Sequence, residues 1–361
     1  MVVMAAADVQ DQKQGRVRPL DPARDLGQIA GLIGEAFADD MDERGRAALR
    51  EMRWMARLSP LVWWLSQVDP GFRAAFHGFV WEVPQAVGRR GQIIGNVNLN
   101  RAPGSRQRYI ICNVVVEKGH RGRGIGRTLT ERAVEEAVAL GASGAVLQVR
   151  RDNGPAFHLY TDLGFHEVSG EVDLWLDSVP SVALLNTPEY QVRAWRPGDG
   201  QALYQLAHRA IPEVQQWLKP VRREEYWPGW VTRLANRLVG LFSGRRTYRL
   251  VASRGGRLVA LAQITATFRP GEHRLLLLVD PADAGQVEAA LVSRALYMLA
   301  ALPPAPVRAI TYKDYTSTID LLRDYGFREH RTLLTLKIDF RGRSWKKEQP
   351  PTGGSFEIEP S

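Results

Sequence analysis

Apolar positions along the chain follow a helical or a strand period, and the changes of period divide the sequence into elements. After a short strand near Val17–Leu20, Leu26, Ile29 and Ile33 recur at the spacing of one helix face. The first half further predicts a helical region at Glu43–Val68 broken at Pro60, strands at Phe79–Val83, Gln92–Asn100 and Tyr109–Val116, a helix at Arg127–Leu140, a strand at Ala145–Val149, a helix at Pro155–Leu163 and a strand at Glu171–Leu176. It therefore predicts one complete unit that begins and ends with a strand.

The second half repeats the landmarks of the first in the same order. Gln14–Pro22 resembles Tyr190–Pro197, where a short strand meets a proline turn. Asp152–Phe165 resembles Asp314–Phe327, where a short helix ends at a glycine. Matches in one order at similar spacing predict two copies of one fold. We expect domains at residues 14–178 and 189–340, a linker at 179–188 and a disordered polar tail at 341–361.

Length and composition are those of a globular protein. The 361 residues suggest about two domains, and 45% hydrophobic with 24% charged residues excludes wholesale disorder, a collagen-like fibre or a disulfide scaffold. The single cysteine, Cys112, cannot form an intrachain disulfide. Met1–Arg16 lacks the apolar core of a signal peptide, and no apolar run approaches the roughly 20 residues of a membrane-spanning helix. We expect a cytoplasmic protein.

The chain is basic, with a net charge of +9, and 41 of its 48 basic residues are Arg. This bias fits phosphate recognition, because guanidinium groups bind oxyanions in a bidentate manner. It fits the codon bias of a GC-rich genome equally well. The charge and ten Trp would also suit nucleic acid or an anionic membrane. However, no basic run exceeds a few residues, and the Trp lie in apolar helical contexts that indicate core packing, so we expect neither partner.

A Gly-rich turn at Gly119–Gly126 lies between the strand that ends at Val116 and a helix. Such a junction points backbone N–H groups and the positive end of the helix at an anion, and glycines allow a close approach. The turn therefore predicts a phosphate or pyrophosphate cradle. It is not a P-loop, because Arg127-Thr128 follows where Lys-Ser/Thr is needed, and it lacks the third glycine of a dinucleotide fingerprint.

Two blocks resemble the signatures of the GNAT superfamily of acetyl-CoA-dependent N-acetyltransferases. Arg121-x-x-Gly124-x-Gly126 is similar to the family's pyrophosphate loop. After room for one helix and one strand, the second block is similar to the helix beside the pantetheine arm, with the sequence Asn153-x-x-Ala156-x-x-Leu159-Tyr160-x-x-x-Gly164-Phe165. Each piece has a simpler interpretation, such as a helix cap, a packed aromatic or a helix stop. Their joint order favours the family, over about Arg16–Leu176 and, in degenerate form, Val192–Ile338.

The resemblance implies a mixed α+β fold of two tandem GNAT-like domains, each a mostly antiparallel sheet flanked by helices. It implies acetyl-CoA as co-substrate and no metal. In the family, amides of the strand before the loop bind the pantetheine, and one polarises the thioester carbonyl. The implied catalytic residue is Tyr160, which would protonate the departing thiolate. The implied acetyl-CoA-binding residues are Val114, Val115, Val116, Arg121, Gly122, Arg123, Gly124, Ile125, Gly126, Arg127, Asn153 and Ala156.

The resemblance does not identify a general base. Asn96, Asn98 and Asn100 on the preceding strand are not basic, which leaves a water relay or an acid from elsewhere. An acidic cluster at Asp39–Glu43 could attract a cationic amine, or it could be a solvated helix start with favourable charge.

The second copy departs from the family pattern at the positions that carry the chemistry. Its loop position, Val279–Gln286, lacks the Arg-x-x-Gly-x-Gly pattern and contains Asp280 and Asp283, which would repel a pyrophosphate. Leu322 stands in place of Tyr160, and Tyr315 in place of Asn153. We expect a catalytically silent second copy.

These observations predict transfer of an acetyl group from acetyl-CoA to a primary amine of an unidentified acceptor, either a small molecule or a protein amine. A homodimer stays open. The alternative is a regulatory module that binds acyl-CoA without turnover. Tyr160 argues against that alternative, because a binding module does not need an acid for the leaving group.

Overall fold

The computed structural model describes residues 15–37, 43–85, 91–185, 187–227, 229 and 244–340. The strands are β1 (Arg16–Pro19), β2 (Gly78–Val83), β3 (Gln92–Arg101), β4 (Arg108–Val116), β5 (Gly144–Arg150), β6 (His166–Leu176), β7 (Gln191–Ala194), β8 (Arg245–Arg254), β9 (Arg257–Thr267), β10 (His273–Val279), β11 (Val307–Tyr312) and β12 (Arg328–Asp339). The helices are α1 (Pro22–Ala36), α2 (Glu43–Arg57), α3 (Ser59–Val68), α4 (Pro70–Ala75), α5 (Ile125–Ala139), α6 (Gly154–Asp162), α7 (Gly200–Ala210), α8 (Glu213–Leu218), α9 (Arg223–Tyr226), α10 (Glu288–Ala300) and α11 (Thr316–Asp324). The polar tail at 341–361 and positions 39–42 of the acidic cluster lie outside the described residues.

The chain forms two compact units. Of the described residues, unit 1 comprises those within 15–100, 106–145 and 338–340, and unit 2 comprises those within 101–105 and 146–337. These units differ from the predicted domains, because β6 from the end of the first copy is hydrogen-bonded to β11 and β12 of the second. The predicted boundaries at 178 and 189 therefore describe the sequence repeat, and as domain boundaries they stay a prediction.

Unit 1 contains a sheet segment in which β1, β2, β3 and β4 are neighbours in that order. The pairs β1–β2 and β2–β3 are antiparallel. Helix α1 begins at Asp21, whose side chain accepts from the backbone N–H of Ala23 and caps the first turn. Its apolar face packs with α2, β2, β3 and β4 into a core formed by Ile29, Ala30, Leu32, Ile33, Leu49, Val80, Ile93 and Val115. Because Val115 of β4 belongs to this core, the core fixes the position of the strand that precedes the Gly-rich turn.

Unit 2 is built on strands in the order β5-β12-β6-β11-β10-β9-β8-β7. The pair β10–β11 is parallel, whereas β6 pairs antiparallel with both β11 and β12. The core includes Leu174 of β6, Leu277 of β10 and Leu291 of α10, each at most 1% exposed. Both units are mixed α and β with mostly antiparallel strands, which confirms the expected fold class.

The predicted repeat is visible in matching ion pairs near the start of each copy. Arg18 donates from Nη1 and Nη2 to the two carboxylate oxygens of Asp25, at 2.6 and 2.8 Å. Arg193 makes the same two-pronged contact with Asp199, at 2.7 and 2.8 Å. An Arg on a first strand thus binds an Asp at the start of the following helical segment in both copies.

The repeat is equally clear at the second pair of landmarks. Helices α6 and α11 both span nine residues. Each is followed by a glycine in the left-handed region, with φ of +89° at Gly164 and +91° at Gly326. A phenylalanine comes next, and Phe165 and Phe327 are both 2% exposed. The two copies therefore share local geometry as well as sequence order.

Three sequence-based expectations differ from the structure. The helical region breaks at Leu58, and Pro60 lies in the first turn of α3, where a missing N–H costs nothing. Helix α5 begins at Ile125, two residues before the predicted start. The expectation that the Trp pack in the core is wrong for Trp54, Trp63 and Trp64, which are 61%, 57% and 53% exposed.

The exposed Trp side chains lie on α2 and α3, and other residues of these helices pack inward. Leu49 of α2 and Val62 of α3 are buried, and they occupy the inner faces of these helices. Apolar content alone could not tell which side of a helix each Trp occupies. Within the described residues, no helix is long and apolar enough to span a membrane.

Candidate functional site

The Gly-rich turn of unit 1 joins β4 to α5 through a short 3-10 turn at Lys118–His120. Gly122 and Gly124 have φ of +78° and +80°, a region that side-chain-bearing residues rarely adopt. A Cβ built on either glycine would meet no atom within 4 Å. Glycine is therefore required for the backbone conformation and not for packing, and the side on which each Cβ would lie is open to a ligand.

The turn ends at the N-terminus of α5. Gly124 is the capping residue, and it has no side chain to accept from the first N–H groups of the helix. Such groups lack partners within the helix and carry its partial positive charge. The open glycines and this helix start together supply the backbone N–H groups and the partial positive charge that an anion would need. A phosphate or pyrophosphate site at this cradle stays a prediction.

Ile125, Gly126 and Arg127 form the first turn of α5. Ile125 is only 5% exposed, and its Cγ2 lies 3.1 Å from where a Cβ on Gly95 would be. Its side chain is thus fixed against β3, and only its backbone N–H remains for a ligand. Gly126 and Arg127 are half-buried. Gly95 has no room for a larger residue, because α5 packs so closely on β3 at this point.

Two arginines of the turn are exposed and are oriented by backbone carbonyls. Arg121 donates from Nε to the carbonyl oxygen of Val116 at 3.0 Å. Arg123 donates from Nη2 to the carbonyl oxygen of Gly119 at the longer distance of 3.4 Å. Each places a positive group beside the cradle, and Arg121 is held by the shorter contact.

Strand β4 presents two different faces. Val115 is 4% exposed and belongs to the core of unit 1, so its side chain cannot meet a ligand. Val114 and Val116 are half-buried on the other face. Of the three predicted pantetheine-binding residues, Val115 can contribute only through its backbone.

A group of asparagines lies beside β4, and the sequence alone indicates only that none of them is basic. Asn96, Asn98 and Asn113 are joined by hydrogen bonds between their amide groups and the backbone of β4. Asn113 has φ of +52°, in the left-handed region, in the middle of the strand. The signal in the sequence was the spacing of Asn96, Asn98 and Asn100, which places them on one face of β3.

Cys112, which precedes this position, is not a nucleophile at neutral pH. Desolvation raises the pKa of its thiol to about 12, so the thiol stays protonated. Asn100 donates from Nδ2 to its sulfur at 3.4 Å.

Helix α6 of unit 2 carries the second predicted block. The Asn153 side chain accepts from the backbone N–H of Ala156 at 3.2 Å and caps the helix. This observed contact is the structural role that the sequence left open for Asn153. Roles of Asn153 and Ala156 in binding acetyl-CoA stay predictions.

Tyr160 lies on the last turns of α6 and is 6% exposed. Its ring meets the ring of Phe165 edge to face, with centroids 6.1 Å apart. Within the part of the chain that the structure describes, no group is hydrogen-bonded to its hydroxyl. Burial raises the pKa of Tyr160 to about 12, because the phenolate form is poorly solvated there. The phenol therefore keeps its proton at neutral pH.

In the second copy, three carboxylates of the protein itself bind arginine side chains and a backbone N–H group at the corresponding loop. Asp280 accepts from Arg209 at 2.8 Å and from Arg257 at 2.5 Å, and Asp283 pairs with Arg254 at 2.8 Å. A third carboxylate, Glu288, accepts from the backbone N–H of Gly285 at 2.8 Å, the type of donor that an anion would need. Asp280, Asp283 and Glu288 are each at most 3% exposed.

Among the described residues, no group of three or more His, Cys, Asp or Glu could hold a metal ion.

Comparison with known proteins identifies the region that contains the Gly-rich turn. Residues 35–165 match the model of the acetyltransferase (GNAT) family. Over 80 residues, the chain is 39% identical to streptothricin acetyltransferase of Streptomyces lavendulae, a match that covers 22% of this chain and 42% of that protein. The chain thus spans less than half the length of this curated relative.

Two solved structures show the same fold over most of the chain. One is a GCN5-related N-acetyltransferase from Sphaerobacter thermophilus, with a TM-score of 0.55 at 17% identity, covering 90% of this chain and 96% of that one. The other is the GCN5-related glucosamine N-acetyltransferase region of a fungal multi-domain β-N-acetylglucosaminidase. Its TM-score is 0.53 at 14% identity, covering 90% of this chain and 38% of that one.

Proposed function

We propose that the chain is an N-acetyltransferase of the GNAT type, whose family model matches residues 35–165, and that it transfers an acetyl group from acetyl-CoA to a primary amine. The observation that carries this proposal is the cradle of unit 1. Gly122 and Gly124 hold the turn open at positive φ, directly before the free N-terminus of α5. Two exposed arginines flank it. These features fit the pyrophosphate of coenzyme A.

The remaining contacts to acetyl-CoA follow from the family motifs. The backbone N–H groups from Gly122 to Arg127 would bind the pyrophosphate, and Arg121 and Arg123 would neutralise it. Backbone amides of Val114–Val116 would bind the pantetheine arm and polarise the thioester carbonyl. The motif assigns Asn153 and Ala156 to the same arm. Tyr160 would act at the sulfur.

The proposed reaction is a direct transfer. The neutral amine attacks the thioester carbonyl carbon, forming a C–N bond as the C–S bond breaks. Tyr160 gives its phenol proton to the departing sulfur, and the proton lost by the amine restores the phenol through solvent. The products are an amide and free CoA. The buried hydroxyl suits this role because it is neutral at the pH of the reaction.

The acceptor is proposed only as an amine. The named relative is a streptothricin acetyltransferase, so small basic metabolites with primary amines are the first class to test, followed by peptide N-termini. We further propose that the second copy is catalytically silent, because the carboxylates of Asp280, Asp283 and Glu288 occupy its loop. A reducing, cytoplasmic setting and a homodimer also remain proposals.

The test is a screen for free CoA. The purified chain is mixed with acetyl-CoA and a panel of amines, including streptothricin, polyamines, aminosugars and short peptides, and the released thiol is measured. We expect amine-dependent release with at least one class. If acetyl-CoA binds but no amine gives release, the chain is a regulatory module that binds acyl-CoA.

Calorimetry tests the assignment of the cofactor to the first copy. We expect one acetyl-CoA per chain, with binding abolished by Gly124→Asp, which adds a negative charge to the cradle. Gln286→Ala, at an exposed position of the second copy's loop, is the matched control and should bind normally. Two equivalent sites would contradict the proposal.

A further inference from the structure

Strand β4 contains a residue in an unusual backbone conformation. Asn113 has φ of +52°, whereas an ordinary strand residue has a negative φ. Among residues other than glycine, asparagine tolerates this region best, yet such positions remain uncommon and need support from their surroundings. Something in unit 1 must therefore hold the strand in this shape.

Two asparagines of β3 provide that support. Asn96 donates from Nδ2 to the backbone carbonyl of Asn113 at 3.0 Å. The same amide donates to Oδ1 of Asn98 at 2.9 Å, and Asn98 Oδ1 also accepts from Nδ2 of Asn113 at 3.1 Å. The three side chains thus connect both the backbone and the side chain of Asn113 to β3. The orientation of the Asn96 amide follows from its partners, because both are oxygen acceptors.

Burying these amide groups on a face of the sheet has an unfavourable free energy of desolvation. Asn96 is completely buried and Asn98 is 7% exposed, although a polar amide is costly to bury without full hydrogen bonding. Oδ1 of Asn96 has no hydrogen-bond partner among the described residues. Apolar side chains would pack the same positions without that cost. The network is therefore poorly explained by stability alone.

The position of the network suggests its use. Asn113 lies directly before Val114–Val116, whose amides are proposed to bind the thioester. A left-handed residue rotates the peptide that follows it and so changes the direction of the next N–H group. Donors that stabilise a developing oxyanion must be aimed at one point before the reaction begins.

We propose that Asn96 and Asn98 are positioning residues that hold Asn113 in its left-handed conformation and so aim the following β4 amides at the acetyl thioester. This inference rests on the proposed acetyl transfer. It assigns a role to residues that do not touch the reacting atoms and that no acid–base argument would select.

The first test replaces each supporting amide. In Asn96→Ala and Asn98→Ala we expect kcat to fall roughly 10-fold to 10²-fold, less than the 10²–10³-fold typical of deleting an oxyanion donor outright. Acetyl-CoA affinity, measured by calorimetry, should change much less, because the cradle is intact. Asn100→Ala is the matched control: Asn100 lies on the same face of β3 but contacts Cys112 and not Asn113. It should leave kcat within about 2-fold, since removing a weak contact to sulfur costs little.

The second test uses the backbone preference of residue 113 itself. Glycine adopts positive φ freely, whereas alanine is disfavoured there. Asn113→Gly should therefore keep several-fold more of the wild-type kcat than Asn113→Ala. The folded fraction of every variant is measured by circular dichroism, and kcat is corrected for it. A role in packing alone would not give this order, because alanine fills more space than glycine.

Three results would overturn the inference: an unchanged kcat in Asn96→Ala, an equal loss in Asn100→Ala, or an Asn113→Ala variant as active as Asn113→Gly. Failure of the proposed function looks different. In that case the wild type itself shows no amine-dependent release of CoA, and the variants have no activity to lose. The position of the amides is then tested by acetyl-CoA binding, which Asn113→Ala should weaken more than Asn113→Gly, and equal binding would also refute the inference.

Discussion

Replacing Tyr160 by phenylalanine separates a catalytic role from a packing role. The ring is 6% exposed and packs against Phe165, and both features survive in Tyr160→Phe. Within the described residues the hydroxyl has no hydrogen-bond partner, so the substitution strands no donor or acceptor of the protein. We therefore expect the free energy of unfolding to change by less than about 1 kcal/mol, the size of one ordinary hydrogen bond.

Turnover should behave very differently. If the hydroxyl protonates the thiolate, Tyr160→Phe should lower kcat by roughly 10²–10⁴-fold, which corresponds to about 3–5 kcal/mol of transition-state free energy. Acetyl-CoA affinity should barely change. The assay is release of CoA under saturating amine, with calorimetry and urea unfolding on the same preparations. Near-equal turnover in the two proteins would refute the catalytic assignment and leave only the cofactor site.

The pH dependence adds a second check. Burial disfavours the charged phenolate, so the pKa of Tyr160 rises to about 12 and the proton is retained throughout the usual assay range. Ionisation of Tyr160 should therefore not lower wild-type activity below about pH 10, which is the ordinary pKa of an exposed phenol. Any loss of activity below that pH should appear equally in the wild type and in Tyr160→Phe. An alkaline loss with a midpoint near 10 that disappears in the variant would show that the phenol is not buried during catalysis.

The repeat and most elements could be predicted from the sequence because both rest on local patterns. The glycine after α6 and its counterpart after α11 are fixed by the same backbone requirement, with φ near +90° in each. The prediction of a cradle followed from the Gly-rich turn at Gly119–Gly126 between a strand and a helix. Helix α5 begins two residues before the start that the periodicity predicts, because its glycine cap gives a weaker signal than Ser, Asp or Asn.

The rest depended on tertiary contacts that periodicity does not encode. Asn96 could be placed on a face of β3, but only the folded structure shows that it supports Asn113 from a neighbouring strand. Trp54 and Trp63 are apolar and lie on helices, which predicted burial, yet smaller residues occupy the inner faces. The pairing of β6 with β11 and β12 joins segments about half a chain apart. Which strands pair with each other depends on the relative stability of alternative strand pairings, and no local motif encodes it.

Five further substitutions test the cradle and the fold. Arg121→Ala should weaken acetyl-CoA binding by roughly 10-fold or more, the effect of losing one charge-assisted hydrogen bond, and Arg123→Ala by less; equal losses in calorimetry would mean that only general charge matters. Gly124→Ala should also weaken binding, because alanine disfavours the φ of +80° by about 1–2 kcal/mol. The last two concern the Arg–Asp ion pairs near the start of each copy. Asp25 is completely buried. Its carboxylate accepts hydrogen bonds from Nη1 and Nη2 of Arg18 and from the backbone N–H of residue 21, the last at 2.8 Å. Asp25→Asn removes one of the two carboxylates that pair with Arg18, while Glu82 still accepts from Nε of Arg18 at 2.9 Å. Losing the charge-assisted hydrogen bonds at this buried contact should therefore lower the free energy of unfolding by about 1.5–3 kcal/mol, measured by urea unfolding. Asp199→Asn breaks the matching pair of the second copy, where the Asp side chain is 13% exposed and water can compensate, so its loss should be smaller. Equal losses in the two variants, or a loss below about 1 kcal/mol for Asp25→Asn, would show that desolvation already cancels the attraction between Arg18 and Asp25.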